Sequence, residues 1–351
     1  GFTSSFAVVL TGLDAVGADS AQAASGLLVL SLTMGLACIM LAVRYRMPIT
    51  AAWSTPGAAL LATTGAVEGG WSAAIGAFLV VAALTLLAGL WPGFGALIAR
   101  IPTSIAQAML AGVLLPLCLA PVTGIVENPW GVIPVVLTWL VCARFAPRWA
   151  VPLAFVAAAT VVVVELVRSG AQVNAGLLIP RLEFTAPTFT VGALVGIAVP
   201  LFIVTMASQN VPGVAIMRSF GYDVPWRPAM FVTGLGTALG APAGGHGINL
   251  AAISAALAAA PDADPDPQRR WVAGVATGGS YLLMGGFASA FAALVLLDRN
   301  ARLDAASRQS MALATGTDRL LHYEFRSIER ALRGIAAARA AGSPLQPALS
   351  G

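Results

Sequence analysis

Apolar stretches of about 20 residues recur along most of this chain, and each is long enough to cross roughly 30 Å of hydrocarbon. Lipid offers the backbone no hydrogen bonds, so a continuous apolar run of that length satisfies its own amides by forming a helix. The composition agrees. Only 10% of the 351 residues are charged, against about a quarter in a soluble domain. Spans are predicted at 2–17, 24–43, 48–65, 71–91, 103–121, 131–146, 149–167, 190–217, 228–241, 244–260 and 271–297. The chain has no lysine, and the arginines between spans are not scattered at random. Arg44, Arg46, Arg100, Arg144, Arg148, Arg218, Arg227, Arg269 and Arg270 all fall on one side if the N-terminus is cytoplasmic, and only Arg168 and Arg181 fall on the other. Dispersed arginines of this kind do not suggest nucleic acid.

Two spans are abnormal. The third reads "RMPITAAWSTPGAALLATTG", with Pro48 at its start and Pro56-Gly57 in its middle. The tenth reads "GAPAGGHGINLAAISAA", with Pro242 and Gly244-Gly245 ahead of an Ala-rich half. Short Gly/Pro-broken segments at corresponding places in two halves mark the binding site of an inverted-repeat transporter. Irregular backbone at membrane depth is tolerated only where it is buried or lines a cavity. An ordinary kinked helix would account for one such segment more easily than for a matched pair. The expected fold is therefore an all-α polytopic membrane protein. It is a seven-plus-seven inverted-repeat transporter fold with two broken half-helices whose N-termini face each other. Residues 1–167 form the first repeat, and 168–189 an extracytoplasmic connection. Residues 190–297 form a second, incomplete repeat, and 298–351 a polar, Arg-rich tail. The opening "GFTSSFAVVLTGL" and the tail lead to the expectation of a chain truncated at both ends.

Ionisable and polar groups inside spans are costly, which makes them candidates for function. His246 lies among glycines just before a half-helix N-terminus, where the helix dipole favours an anion. Its ordinary pKa near about 6.5 suits proton exchange. Asn249, three residues on, is predicted to share its side of the half-helix. Ser54 and Thr55 precede Pro56 and can cap the other half-helix while donating to a ligand. Trp53 could stack on a ring or anchor at the interface. Gln209 and Asn210 stand side by side in an apolar span and need partners. Pro212-Gly213 beside them should unwind that helix locally. Glu165, Asp14, Asp19, Glu68 and Glu127 read as solvated interface residues, and "PDADPDPQRR" as a cytoplasmic loop. Cys38, Cys118 and Cys142 have no metal or disulfide spacing and read as small buried hydrophobes. No HExxH, GxSxG, Asp-rich metal motif or P-loop is present, so neither an enzyme nor a cofactor is expected. A channel could also use broken helices, but two facing half-helices with one titratable group fit alternating access better.

The stretches "GFTSSFAVVLTGL", "RYRMPITAAWSTPGAALL", "ASQNVPGVAIMRSFGYDVP" and "GAPAGGHGINLAAISAA", followed by "RRWVAGVATGG", resemble the benzoate:proton symporter family of bacterial inner-membrane transporters. The resemblance covers about residues 1–297. It is similar more distantly to the uracil and sulfate transporter fold. It implies import of benzoate or a related aromatic carboxylate with a proton. The site implied is Ser54, Thr55, Gln209, Asn210, Gly245, His246 and Asn249, with His246 in proton coupling. A homodimer is left open. The same fold carrying a nucleobase or an inorganic anion is the competing expectation, as is a truncated remnant without transport.

Overall fold

The computed structural model describes residues 2–91, 115, 119, 121–126, 128–169 and 181–288, all within one compact unit, residues 1–296. The span expected at 103–121 lies almost wholly outside these residues, as do Cys118, Glu127 and the tail. Each of the other expected spans has its helix. In chain order they are α1 (Phe2–Ala15), α2 (Ser20–Tyr45), α3 (Thr55–Thr64), α4 (Gly70–Leu90), α5 (Pro129–Phe145) and α6 (Ala150–Ser169). There follow α7 (Val191–Ser219), α8 (Trp226–Gly240), α9 (Ile253–Ala259) and α10 (Trp271–Gly285). Of these, α2, α4 and α7 are long and apolar enough to cross a membrane unaided.

Local signals set the helix starts. Asp19 and Gln22 exchange side-chain-to-backbone bonds in a capping box that opens α2. Asn128 caps α5 through the amide of Gly131, and Thr190 caps α7 through that of Ala193. The local unwinding expected at Pro212-Gly213 does not occur. Instead α7 runs on through a widened turn at Met206–Asn210, closed by a bond from the Val211 amide to Met206 O. Pro212 lacks an N–H and its ring crowds the carbonyl four residues back, and the widened turn takes up that misfit.

The all-α expectation fails at the two broken segments. Each contains a short strand ahead of its helix, β1 (Ala51–Trp53) and β2 (Ile248–Leu250), and the two pair antiparallel. Around this pair α2 lies along α10, α4 along α8, and α1 against α3. The contacts are close because small residues line them. A Cβ on Gly278 would stand 2.6 Å from Gly35 O, and one on Gly12 would collide with Ala58 O. α5 and α6 pack on each other and meet the rest through α1, where Phe6 and Phe155 stack edge to face at 5.8 Å. Trp130, Phe145 and Trp149 are exposed towards the two ends of α5, as in an interfacial aromatic belt.

The helix ends sort by charge. Arg46 stacks on Trp271 at 4.3 Å, Tyr222 donates to Pro267 O, and Trp226 donates to Ala88 O. These contacts gather Arg44, Arg46, Arg218, Arg227, Arg269 and Arg270 at one end. Asp14, Asp19, Glu68, Glu183 and Arg181 belong to the opposite end. There an extended segment, 182–190, crosses the helix tips. It is tied by the Glu183 amide to Ser25 Oγ, by the Thr185 amide to Pro242 O and by the Thr188 amide to Ser72 O.

Candidate functional site

The strand crossing positions every group at the centre. Its register pairs Ala51 with Leu250, Ala52 with Asn249 and Trp53 with Ile248. One further bond extends it at each end, from the Ser54 amide to Gly247 O (3.2 Å) and from the Ala251 amide to Thr50 O (2.9 Å). The first residue of each strand is also held by a helix side chain. The Ala51 amide donates to Cys38 Sγ of α2 (3.0 Å), and the Ile248 amide donates to Thr237 Oγ1 of α8 (3.0 Å). Neither clip had a local signal in the sequence, because each joins residues more than ten positions apart in different elements. Cys38 is thus more than the apolar filler expected, and Cys142 is only half-buried.

At one end of the crossing, Ser54 is fully buried and caps α3 by accepting from the Gly57 amide (3.1 Å). Its hydroxyl also bonds Thr205 Oγ1 of α7 at 2.7 Å. Beside it, His246 is fully buried, with Nε2 3.1 Å from Ser54 O and its ring edge-on to Phe78 of α4 at 6.3 Å. Phe78 in turn packs edge-on against Trp71, whose indole donates to Thr185 of the extended segment. Nδ1 of His246 has no hydrogen-bond partner among the described residues.

Asn249 lies in β2 and not on a helix, so the helical spacing expected to align it with His246 does not apply. Its Nδ2 donates to Leu250 O at 2.7 Å, and its buried Oδ1 has no partner among the described residues. Asn210 is buried and supports the same strand, with Oδ1 accepting from the Leu250 amide at 2.8 Å. Gln209 and Thr55 are half-buried at the margin. The amide of Gly245, a residue of the site implied by the resemblance, is already bonded to Gly240 O at 2.9 Å and so is not open to a ligand. Gly244, at φ 95°, lets this turn press its backbone onto Gly26 of α2. Trp53 neither anchors at an interface nor stands free, since it is buried and donates to Ser5 Oγ of α1.

At the other end, Thr50 Oγ1 and Ser254 Oγ bond at 3.1 Å, and Ser254 also meets the Tyr281 hydroxyl. Among the described side chains no carboxylate is buried, and the one buried cation is Arg270. It is spent at the end of α9, donating to Ala259 O, Asp264 O and Pro265 O. No cluster that could hold a metal occurs among the described residues. The centre is therefore apolar and aromatic, with a few fixed polar atoms and no fixed charge. Such surroundings suit a ring-bearing ligand whose own charge is compensated when it arrives.

Residues 1–317 match the family described as benzoate membrane transport protein (BenE). The inner membrane protein YdcO of Escherichia coli K12 is 37% identical over 297 residues, covering 84% of this chain and 75% of that protein. A benzoate membrane transport protein of Acinetobacter baylyi is 32% identical over 259 residues, covering 74% of this chain and 65% of that protein.

Proposed function

The chain belongs to the benzoate membrane transport protein family, a family of membrane transporters and not of enzymes, and on that premise we propose that it imports benzoate or a related aromatic carboxylate together with a proton by alternating access. The observation that carries this reading is the burial of His246 at the crossing of two broken segments, in a centre to which the described residues bring no fixed charge. A carboxylate entering such a centre alone would be an unpaired buried charge, which is prohibitively costly. A proton entering with it removes the cost, and His246 is the group there that can hold one.

Exchange of partners across the crossing supports an inverted repeat of residues 1–167 and 190–297. Exchanging β1 with β2 and α2 with α8 turns the Ala51–Cys38 clip into the Ile248–Thr237 clip. The same exchange turns the Ser54–Gly247 bond into the Ala251–Thr50 bond, and the α2–α10 pair into the α8–α4 pair. Residues 168–189 connect the repeats outside the membrane. The arginine-rich end faces the cytoplasm, which places the start of α1 there, in the inner membrane that also holds the relative from Escherichia coli. Ser54, Thr55, Gln209, Asn210, Gly245, His246 and Asn249 form or border the substrate site.

The test is uptake of labelled benzoate by the full-length protein in proteoliposomes. An inward proton gradient should drive accumulation that collapses with a protonophore, and uptake indifferent to the gradient would refute the coupling. Competition by uracil or sulfate as strong as that by unlabelled benzoate would shift the substrate class.

A further inference from the structure

The two unpartnered polar atoms at the centre are of one kind. A backbone carbonyl only accepts hydrogen bonds, so the contact from Nε2 of His246 to Ser54 O places the proton of the neutral ring on Nε2. Nδ1 is then a bare acceptor. The Asn249 amide is oriented in the same way by its neighbour, because the group facing Leu250 O must be the donating Nδ2. That leaves Oδ1 as a second acceptor. Both residues are fully buried, and neither acceptor meets a donor among the described residues. Unmet buried acceptors are expensive, and the deficit at this centre is of donors.

We propose that the head group bound here carries a hydrogen-bond donor, so that the aromatic acid is held in its protonated form with the carboxyl O–H directed at Nδ1 of His246. This rests on the aromatic-acid reading above and specifies how the proton is held. Should the proton pass to Nδ1, the O–H bond breaks, an N–H bond forms, and the imidazolium pairs with the carboxylate left behind. One proton and one negative charge are bound together in either form. The groups that meet the ring are Ser54 O, at the β1–α3 junction, and the uncharged Phe78 of α4. The titratable groups on the surrounding elements are engaged or distant. Cys38 of α2 is clipped to Ala51, Tyr281 of α10 meets Ser254, and Asp14 and Arg227 stand at opposite ends of the fold.

Two neutral isosteres of benzoate separate the possibilities. Benzamide has N–H donors, and nitrobenzene has only acceptors of the same shape. Displacement of labelled benzoate from purified full-length protein is measured with each. Benzamide should displace at concentrations within about tenfold of benzoate, and equally well between about pH 5.5 and about 7.5. Nitrobenzene should be at least about tenfold weaker, the factor expected for one lost buried hydrogen bond. Equal displacement by the two, or a preference for nitrobenzene, would overturn the proposal. Benzoate that binds but is not accumulated by a proton gradient would sink the coupling reading, while the ranking of the isosteres still decides this one. No binding of benzoate at all would overturn both.

Discussion

The two halves of the central crossing share a scaffold and differ in chemistry. β1 leads into α3, a ten-residue helix whose Ser54 cap is bonded on both sides. β2 leads into α9, a seven-residue helix with no side-chain cap; Asn249 lies in the strand and His246 just before it, each with an acceptor unmet among the described residues. Both strands are clipped to a neighbouring helix at their first residue. On the proposed function, the β1–α3 half is the fixed wall of the site, its polar groups already bonded within the protein. The β2–α9 half holds the polar atoms left over for a ligand. Folding favours satisfied polar groups, so an unsatisfied pair confined to one half is a cost that binding can recover.

Substitutions can break or sharpen this contrast, beginning with the strongest. Replacing His246 by Ala should lower proton-driven benzoate uptake by roughly a hundredfold at unchanged membrane abundance, since it removes the proton acceptor that the described residues place at the centre. Initial-rate assays on matched proteoliposomes check this. Uptake near the wild-type rate would place the chemistry elsewhere. Gly12→Ala should destabilise the folded protein by several kcal/mol, about 2–4, because a Cβ there meets the α3 backbone and not a side chain that can move. Thermal unfolding in detergent reads that loss. Ser54→Ala should cost about 1–3 kcal/mol by stripping α3 of its cap and Thr205 of its partner. It should leave the benzamide preference intact, because the fixed half carries no unmet acceptor. Cys38→Ala and Thr237→Val should each cost about 1–2 kcal/mol and by similar amounts, with Cys38→Ser and Thr237→Ser recovering most of it. Markedly unequal losses would mean that the clips are not equivalent. The smallest effect belongs to the exposed Arg218–Asp223 pair, 3.3 Å apart, where Asp223→Ala should change stability by less than about 0.5 kcal/mol.

Much of this architecture is legible in the sequence. Apolar runs located the helices because a membrane helix is written in a continuous stretch of sequence. The Gly/Pro-broken segments marked the centre because breaks at that depth are rare. The strands escaped notice because three residues inside Ala- and Gly-rich runs carry no periodicity, and their pairing joins positions 51 and 250. His246 stood out among the glycines, yet its tautomer depends on Ser54 O, a backbone atom 192 residues away in sequence. The glycines around His246 have a structural use that their sequence does not reveal. In the fold, the Gly244 and Gly245 amides close a turn, and Gly244 presses onto α2. Cys38 and Thr237 acquire their roles only when α2 and α8 are laid beside the strands.

On the proposed function, one proton is bound with each aromatic acid at the crossing. The most direct measurement is the count of protons and benzoate entering the same proteoliposomes, with a trapped pH indicator beside labelled substrate. The account predicts a ratio of about one, lost in His246→Ala. Benzoate entry with no accompanying acidification in the wild-type protein would contradict it.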